Sequence, residues 1–231
     1  MHLPFLSSAL DLFYPKLCIA CEEEPYTAKL PVCITCLIEL PLTNMEIHKE
    51  NLFTERLYGR IPIESATSLF YFSKGGKVQH LIHHAKYSGD GTIACLLGNW
   101  MGDILKQSTL FQNMDVIIPV PLHSSKLKSR GFNQSEEFGK GISEILNIDL
   151  NQFALKRIRS SVSQTSKNRL ERLVNVHDSF ELNGKDKLIN KHILLVDDVL
   201  TTGATMEACA EKLLGIQGVK VSLVTIAIVV D

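Results

Sequence analysis

Two adjacent carboxylates, Asp197 and Asp198, are followed after Val199 and Leu200 by the small hydroxylated run Thr201-Thr202-Gly203-Ala204-Thr205. The two halves of this stretch suit different chemistry. An ionised carboxylate only accepts hydrogen bonds, so the pair suits sugar hydroxyls or a cation and would repel a bare anion. The threonine run leads into an amphipathic pattern, with Met206, Cys209, Ala210 and Leu213 on one helical face. Free N–H groups of a first helical turn, together with the helix dipole, favour an anion there. Gly203 allows close backbone approach to a phosphate, and the threonine hydroxyls add donors. A sugar phosphate satisfies both ends, its phosphate in the loop and its ribose hydroxyls on the aspartates.

A second constellation lies near the N-terminus. Four of the six cysteines form Cys18-x2-Cys21 and, eleven residues on, Cys33-x2-Cys36. Each C-x-x-C turn puts two sulfurs on one side of a loop, and two turns complete a tetrahedral shell with no open position, which reads as structural zinc. A redox C-x-x-C needs only one pair; a disulfide pair or an iron–sulfur cluster is the alternative. Cys95 and Cys209 stand alone in amphipathic segments and read as small core residues.

The elements that must position these residues follow from apolar runs. His192–Val196 reads as a buried parallel strand that ends at the aspartates. Ala66–Phe72 is another strand. Val78, Leu81, Ile82 and Ala85 give a helix, and a second helix from about Thr92 to Leu105 packs most simply on it. Asp115–Pro121 is a strand that stops pairing at Pro119 and Pro121. Beyond a basic stretch with Lys126, Lys128 and Arg130, a helix starts at Gly131-Phe132-Asn133-Gln134. Phe153–Ile158, Ser179–Leu182 and Val219–Val229 complete the strands. Gly75-Gly76-Lys77 lacks the first glycine and the Ser/Thr of a Walker loop, which excludes that ATPase class. His80, His83 and His84 read as surface or capping residues. Thr43–Pro62 is polar and aperiodic, a connector.

The formal net charge of −1 excludes a general attraction to nucleic acid, leaving only local patches such as Lys156–Arg172. No apolar stretch reaches the ~18 residues of a membrane span. The N-terminus makes a poor secretory signal, so a cytoplasmic location is expected.

The run LLVDDVLTTGAT resembles the 5-phosphoribosyl 1-diphosphate (PRPP) motif of type I phosphoribosyltransferases. With the four-cysteine segment, Ile118-Pro-Val-Pro-Leu-His123, Arg130-Gly-Phe-Asn-Gln134 and Gln164…Arg169…Arg172…Asn175, the chain is similar to the ComF (ComFC-like) competence family over roughly residues 15–229. The resemblance implies an α/β core, a mostly parallel five-stranded sheet with helices on both faces. It also implies a zinc-binding module over residues 1–43, a connector over 44–62, and a phosphoribosyltransferase-like domain over 63–231 with a helical hood at about 70–103. By the same resemblance Asp197, Asp198 and Arg130 serve catalysis, with magnesium near the aspartates. Val199, Leu200 and Thr201–Thr205 hold PRPP or a ribose 5-phosphate ligand. Val120, Pro121, Leu122 and His123 form a pyrophosphate loop, and Gln164, Lys167, Arg169 and Arg172 lie in a flexible loop. Implied partners are single-stranded DNA, a competence helicase and a DNA-loading protein. Whether the protein turns over PRPP with an acceptor, or senses it in DNA uptake, stays open at this level.

Overall fold

The computed structural model describes residues 15–26, 30–87, 89–158 and 179–230. Among these, four strands form one parallel sheet in the order β1-β6-β5-β2: β1 (Ala66–Phe72), β2 (Val116–Pro119), β5 (His192–Leu200) and β6 (Lys220–Val229). A parallel sheet is covered on both faces, which is why its strands read as continuous apolar runs rather than alternating ones. Ile193, Leu194, Leu195 and Val196 are all fully buried.

Two expectations change here. The fifth sheet strand is absent from the described residues, because β3 (Leu155–Arg157) and β4 (Phe180–Leu182) pair with each other as a separate antiparallel ribbon. Their pattern is one-sided: Leu155 and Phe180 are buried while Lys156 and Glu181 face out. The strand expected to end at Val196 runs on to Leu200, since β6 is ten residues long and continues the ladder through Asp197↔Thr225 and Leu200↔Ile228.

Helices cover both faces. On one, α4 (Thr92–Gln107) and α6 (Gln134–Leu146) place Leu97, Met101, Phe138 and Ile142 against Ile117, Leu194 and Val196. On the other, α7 (Ala204–Leu214) packs Met206, Cys209 and Leu213 against Ile193, Leu195 and Val221. α4 packs chiefly on α6 rather than on α3 (Lys77–Tyr87), the partner its sequence suggested. Glycine makes this contact close. A Cβ at Gly98 would stand 2.1 Å from the Phe138 carbonyl oxygen, and one at Gly141 would stand 2.1 Å from that of Cys95.

The stretch expected to be a connector is folded onto the core. It holds a 3-10 turn, Met45–Ile47, and a short helix α2 (Leu52–Leu57). Asn51 caps α2 by accepting from the Phe53 and Thr54 N–H groups, and Thr54 Oγ1 accepts from the Asn51 N–H at 2.9 Å. This reciprocal box satisfies donors that a six-residue helix would otherwise leave free. Phe53 and Leu57 are completely buried in the same cluster as Met206 and Leu213. The basic stretch Ser124–Arg130, to which the sequence assigned no element, is helix α5.

Candidate ribose-phosphate site

The carboxyl edge of a parallel sheet is where a ligand meets strand ends and helix starts together. β5 delivers Asp197 and Asp198 to that edge. Asp197 is buried, and its Oδ1 accepts from Ser135 Oγ and from the Asp198 N–H, each at 2.8 Å. Burial pushes its carboxyl up to about 7, and the Asp198 charge adds to the rise. Asp198 is more open. Its Oδ2 accepts from Gln134 Nε2 at 2.9 Å and pairs with Lys86 Nζ, also at 2.9 Å, while Oδ1 accepts from the Val199 N–H at 2.6 Å.

The loop after β5 turns through Gly203 in a left-handed conformation (φ 82°), and α7 starts there without a side-chain cap. Thr201 and Thr202 are exposed, Ala204 and Thr205 half-buried. The carbonyls of Thr201 and Thr202 are held in bonds the sequence did not reveal. Arg56 Nη1 donates to the Thr201 carbonyl at 2.7 Å, and its Nη2 donates to that of Val229. Arg60 Nη1 donates to the Thr202 carbonyl at 3.0 Å, and its Nε to Glu207 Oε1 at 3.0 Å. Two arginines from the supposed connector thus fix the loop by its Thr201 and Thr202 carbonyls, while the Ala204 N–H donates to Thr202 Oγ1 at 3.5 Å.

The edge of β2 supplies the other wall. Val120 is buried and donates to the Val196 carbonyl at 2.9 Å; Pro121, Leu122 and His123 are half-buried. His123 Nδ1 caps α5, accepting from the Ser125 N–H at 3.3 Å. Arg130 lies over the Tyr87 ring, 5.1 Å from its centroid, and donates to Gln134 Oε1. One polar chain therefore runs Tyr87–Arg130–Gln134–Asp198–Lys86. Gln134 was quoted in the sequence as a helix start and in the run Arg130-Gly-Phe-Asn-Gln134, and Ser135 was not quoted at all. No local signal marks them as partners of the aspartates, because the contact spans more than sixty positions. Gln164, Lys167, Arg169 and Arg172 lie outside the described residues.

In the N-terminal segment, one sulfur from each of Cys18, Cys21, Cys33 and Cys36 lies within 4.8 Å of all the others. Cys21 Sγ and Cys33 Sγ are 3.9 Å apart, close to the ~3.8 Å edge of a tetrahedron with 2.3 Å metal–sulfur bonds. The Ala20 N–H points at Cys18 Sγ and the Cys36 N–H at Cys33 Sγ, both at 3.4 Å. Burial alone would raise the Cys18 thiol. Backbone N–H groups of Cys33, Cys21 and Ala20 outweigh it and bring the thiol down to about 7. Donor type and spacing suit a closed tetrahedral metal site.

Residues 132–231 match the family "Phosphoribosyl transferase domain". Over 137 residues, 58% of this chain, it is 33% identical to the DNA utilization protein YhgH of Escherichia coli O157:H7, covering 60% of that protein. It is 30% identical over 135 residues, 57% of the chain, to competence protein F of Haemophilus influenzae, covering 58%. It is 33% identical over 135 residues, 58% of the chain, to competence protein ComFC of Streptococcus pneumoniae, covering 56%. Over a little more than half its length the chain is similar to these competence and DNA utilization proteins, and its last hundred residues match a phosphoribosyl transferase domain. The matches span less than two thirds of these relatives' own length.

The matched phosphoribosyl transferase domain begins just after Arg130 and takes in Gln134, Ser135, both aspartates and the threonine loop. Beside it a cleft of about 500 Å³ opens between α3 and the strand ends, walled by Phe72, Ile82, Tyr87, Val199 and Val229, with Lys86 and Thr201 at its margin. No helix among the described residues is long and apolar enough to cross a membrane.

Proposed function

We propose that this protein binds PRPP or a related ribose 5-phosphate at the carboxyl edge of β5 and acts in the cytoplasm in DNA uptake. The carrying observation is the direct succession of a carboxylate pair and an uncapped helix start whose carbonyls are already bonded by Arg56 and Arg60. In this reading the phosphate accepts from the N–H groups and threonine hydroxyls of Thr201–Thr205. The ribose hydroxyls donate to Asp197 and Asp198. Lys86 balances one carboxylate charge, so an anionic ligand meets a pair already half-neutralised. Arg130 and the loop Val120–His123 supply the pyrophosphate side, and Gln164, Lys167, Arg169 and Arg172 cover the ligand.

The carboxylates offer hard oxygen donors that fit magnesium, with Asp198 the more open of the two; when bound, the ion would neutralise pyrophosphate charge. Catalysis, where it occurs, would transfer phosphoribosyl to an acceptor seated in the apolar cleft beside Tyr87, with water excluded from the oxocarbenium-like centre. Non-catalytic sensing of PRPP, alongside single-stranded DNA, a competence helicase and a DNA-loading protein, rests on the same site. Cys18, Cys21, Cys33 and Cys36 hold structural zinc.

Calorimetry separates the roles. Asp198→Asn should weaken ribose 5-phosphate ten- to a hundredfold, the loss of one charge-assisted hydrogen bond of roughly 1.5–3 kcal/mol, and should weaken inorganic phosphate far less. Thr205→Val should weaken both. Ribose 5-phosphate binding equally well to Asp198→Asn and wild type would make the aspartates structural and overturn the reading.

A further inference from the structure

A single helix touches both the cysteine cluster and the aspartates. α3 begins at Lys77, which forms an ion pair with Glu39, the last residue of the helix α1 (Ile34–Glu39) that carries Cys36. Glu39 follows Cys36 by three residues, so this ion pair ties the start of α3 to the helix of the second cysteine pair. One turn on, His80 Nδ1 lies 4.0 Å from Glu22 Oε1, beside Cys21. The inner face of the helix, Val78, Leu81, Ile82 and Ala85, shares one apolar cluster with Cys18, Val32, Cys33, Cys36 and Leu40. The other end of α3 carries Lys86 on Asp198 and Tyr87 under Arg130. At 1.5 Å per residue, Lys77 and Lys86 are about 14 Å apart along the axis.

We propose that the four-cysteine module positions Lys86 on Asp198 through α3, with Lys77 as the positioning residue. The metal state of the cysteines then sets ribose-phosphate affinity at a site to which they contribute no atom. The proposal rests on the metal and ligand assignments above but adds a coupling that neither contains. Four thiolates around a divalent ion leave a net charge of about −2, and Lys77 is paired with Glu39 at the end of the helix that carries one of them. Without the ion, the sulfurs lose what holds them within contact distance, and the packed surface under Val78, Leu81 and Ala85 loosens with them. A rigid helix passes that change to its far end. Lys86 then no longer sits ready on Asp198, and an anionic ligand faces two unbalanced carboxylates.

The competing explanation is that Lys77–Glu39 is an ordinary exposed ion pair contributing almost nothing. Hydrogen exchange and calorimetry on the full chain distinguish them. Stripping zinc with a chelator, checked by elemental analysis, should raise exchange across Lys77–Tyr87 while the amides of β5 and β6 stay protected. It should also weaken ribose 5-phosphate about fivefold or more. In zinc-loaded protein, Lys77→Met should speed exchange at His83–Tyr87 and weaken ribose 5-phosphate by a factor of about three to ten with zinc content unchanged; Lys77→Arg should restore both. Unchanged α3 exchange after verified metal loss, a Lys77→Met protein indistinguishable from wild type, or protein purified without chelators that holds no zinc would each overturn it. The exchange arm needs no ligand. If it succeeds while wild type fails to bind ribose 5-phosphate, the ligand assignment falls and the coupling along α3 stands.

Discussion

Gly203 meets two constraints at once. Its φ of 82° is left-handed, and a Cβ there would stand 2.8 Å from Leu57 Cδ2, the end of the helix that carries Arg56. Gly203→Ala should therefore cost about 1–2 kcal/mol of stability and also weaken ribose 5-phosphate, because the strain is relieved by shifting the loop that holds the phosphate. Gly184, also left-handed (φ 65°) but with open space around it, is the control: Gly184→Ala should cost stability alone. Melting curves with calorimetry check both, and equal binding losses in the two variants would remove the loop from the site. At this scale the sequence was informative wherever chemistry is local. Two acids, a glycine and three threonines in nine residues state their ligand by type and spacing. Ser135, Arg56 and Arg60 were not legible as site residues, since each reaches the aspartates or the loop from another element and none has an unusual local context.

Between elements, the tightest join is α4 on α6. The atoms that a Cβ at Gly141 would strike are backbone, Cys95 O at 2.1 Å and Asn99 N at 2.6 Å, so no rotamer change can relieve the clash. Gly141→Ala should lower stability by about 1–3 kcal/mol or more in a thermal melt. Gly215→Ala, where the nearest atom is 3.5 Å away and φ is −69°, should stay within about 0.5 kcal/mol of wild type. β2 is tied to β5 by Asp115, whose Oδ2 accepts from the His192 N–H at 2.7 Å and whose Oδ1 pairs with Lys191 at 3.0 Å. The His192 N–H, with Lys191, holds this carboxyl below its ordinary value despite partial burial. A depressed carboxyl stabilises the fold above the unfolded pKa of about 3.9, and that share is lost as pH falls through the folded value. Asp115→Asn should thus be less stable than wild type at pH 7, by under ~1 kcal/mol after solvent screening, and the two stability curves should meet below about pH 3. Curves that run parallel throughout would contradict this. Ala66–Phe72 was legible to the residue because its apolar run is bounded on both sides. β5 was read four residues short, since pairing with β6 and not composition carries it past the aspartates. Leu52–Leu57 was missed although Asn51 and Thr54 spell its capping box, because six residues are too few to show a helical period.

Over the whole molecule, charge is nearly balanced, so any grip on a nucleic acid must come from where cations lack partners. Lys126 and Lys128 are exposed on α5, next to the site, and Arg130 ends the same helix. Lys140 has no such freedom, being paired with Glu136 at 3.1 Å and Glu137 at 2.7 Å. Arg169 and Arg172 belong to the basic stretch outside the described residues. The alternation of cations with few acids was visible in sequence, whereas the helical form of residues 124–130 was not, because Lys126, Lys128 and Arg130 follow a two-residue spacing that suggests no buried face. If single-stranded DNA crosses this edge, each phosphate contact contributes about −0.7 to the slope of log affinity against log salt. Replacing Lys126 and Lys128 by Ala should then flatten the slope by about 1.4, replacing Arg169 and Arg172 should do the same, and Lys140→Ala should leave it unchanged. Fluorescence anisotropy with a labelled oligonucleotide over a range of salt measures all three. Ribose 5-phosphate binding should survive the Lys126/Lys128 pair, since neither lysine touches the aspartates or the threonine loop. Affinity for the oligonucleotide that ignores salt, or a slope untouched by these changes, would leave a small-molecule site with no DNA track beside it.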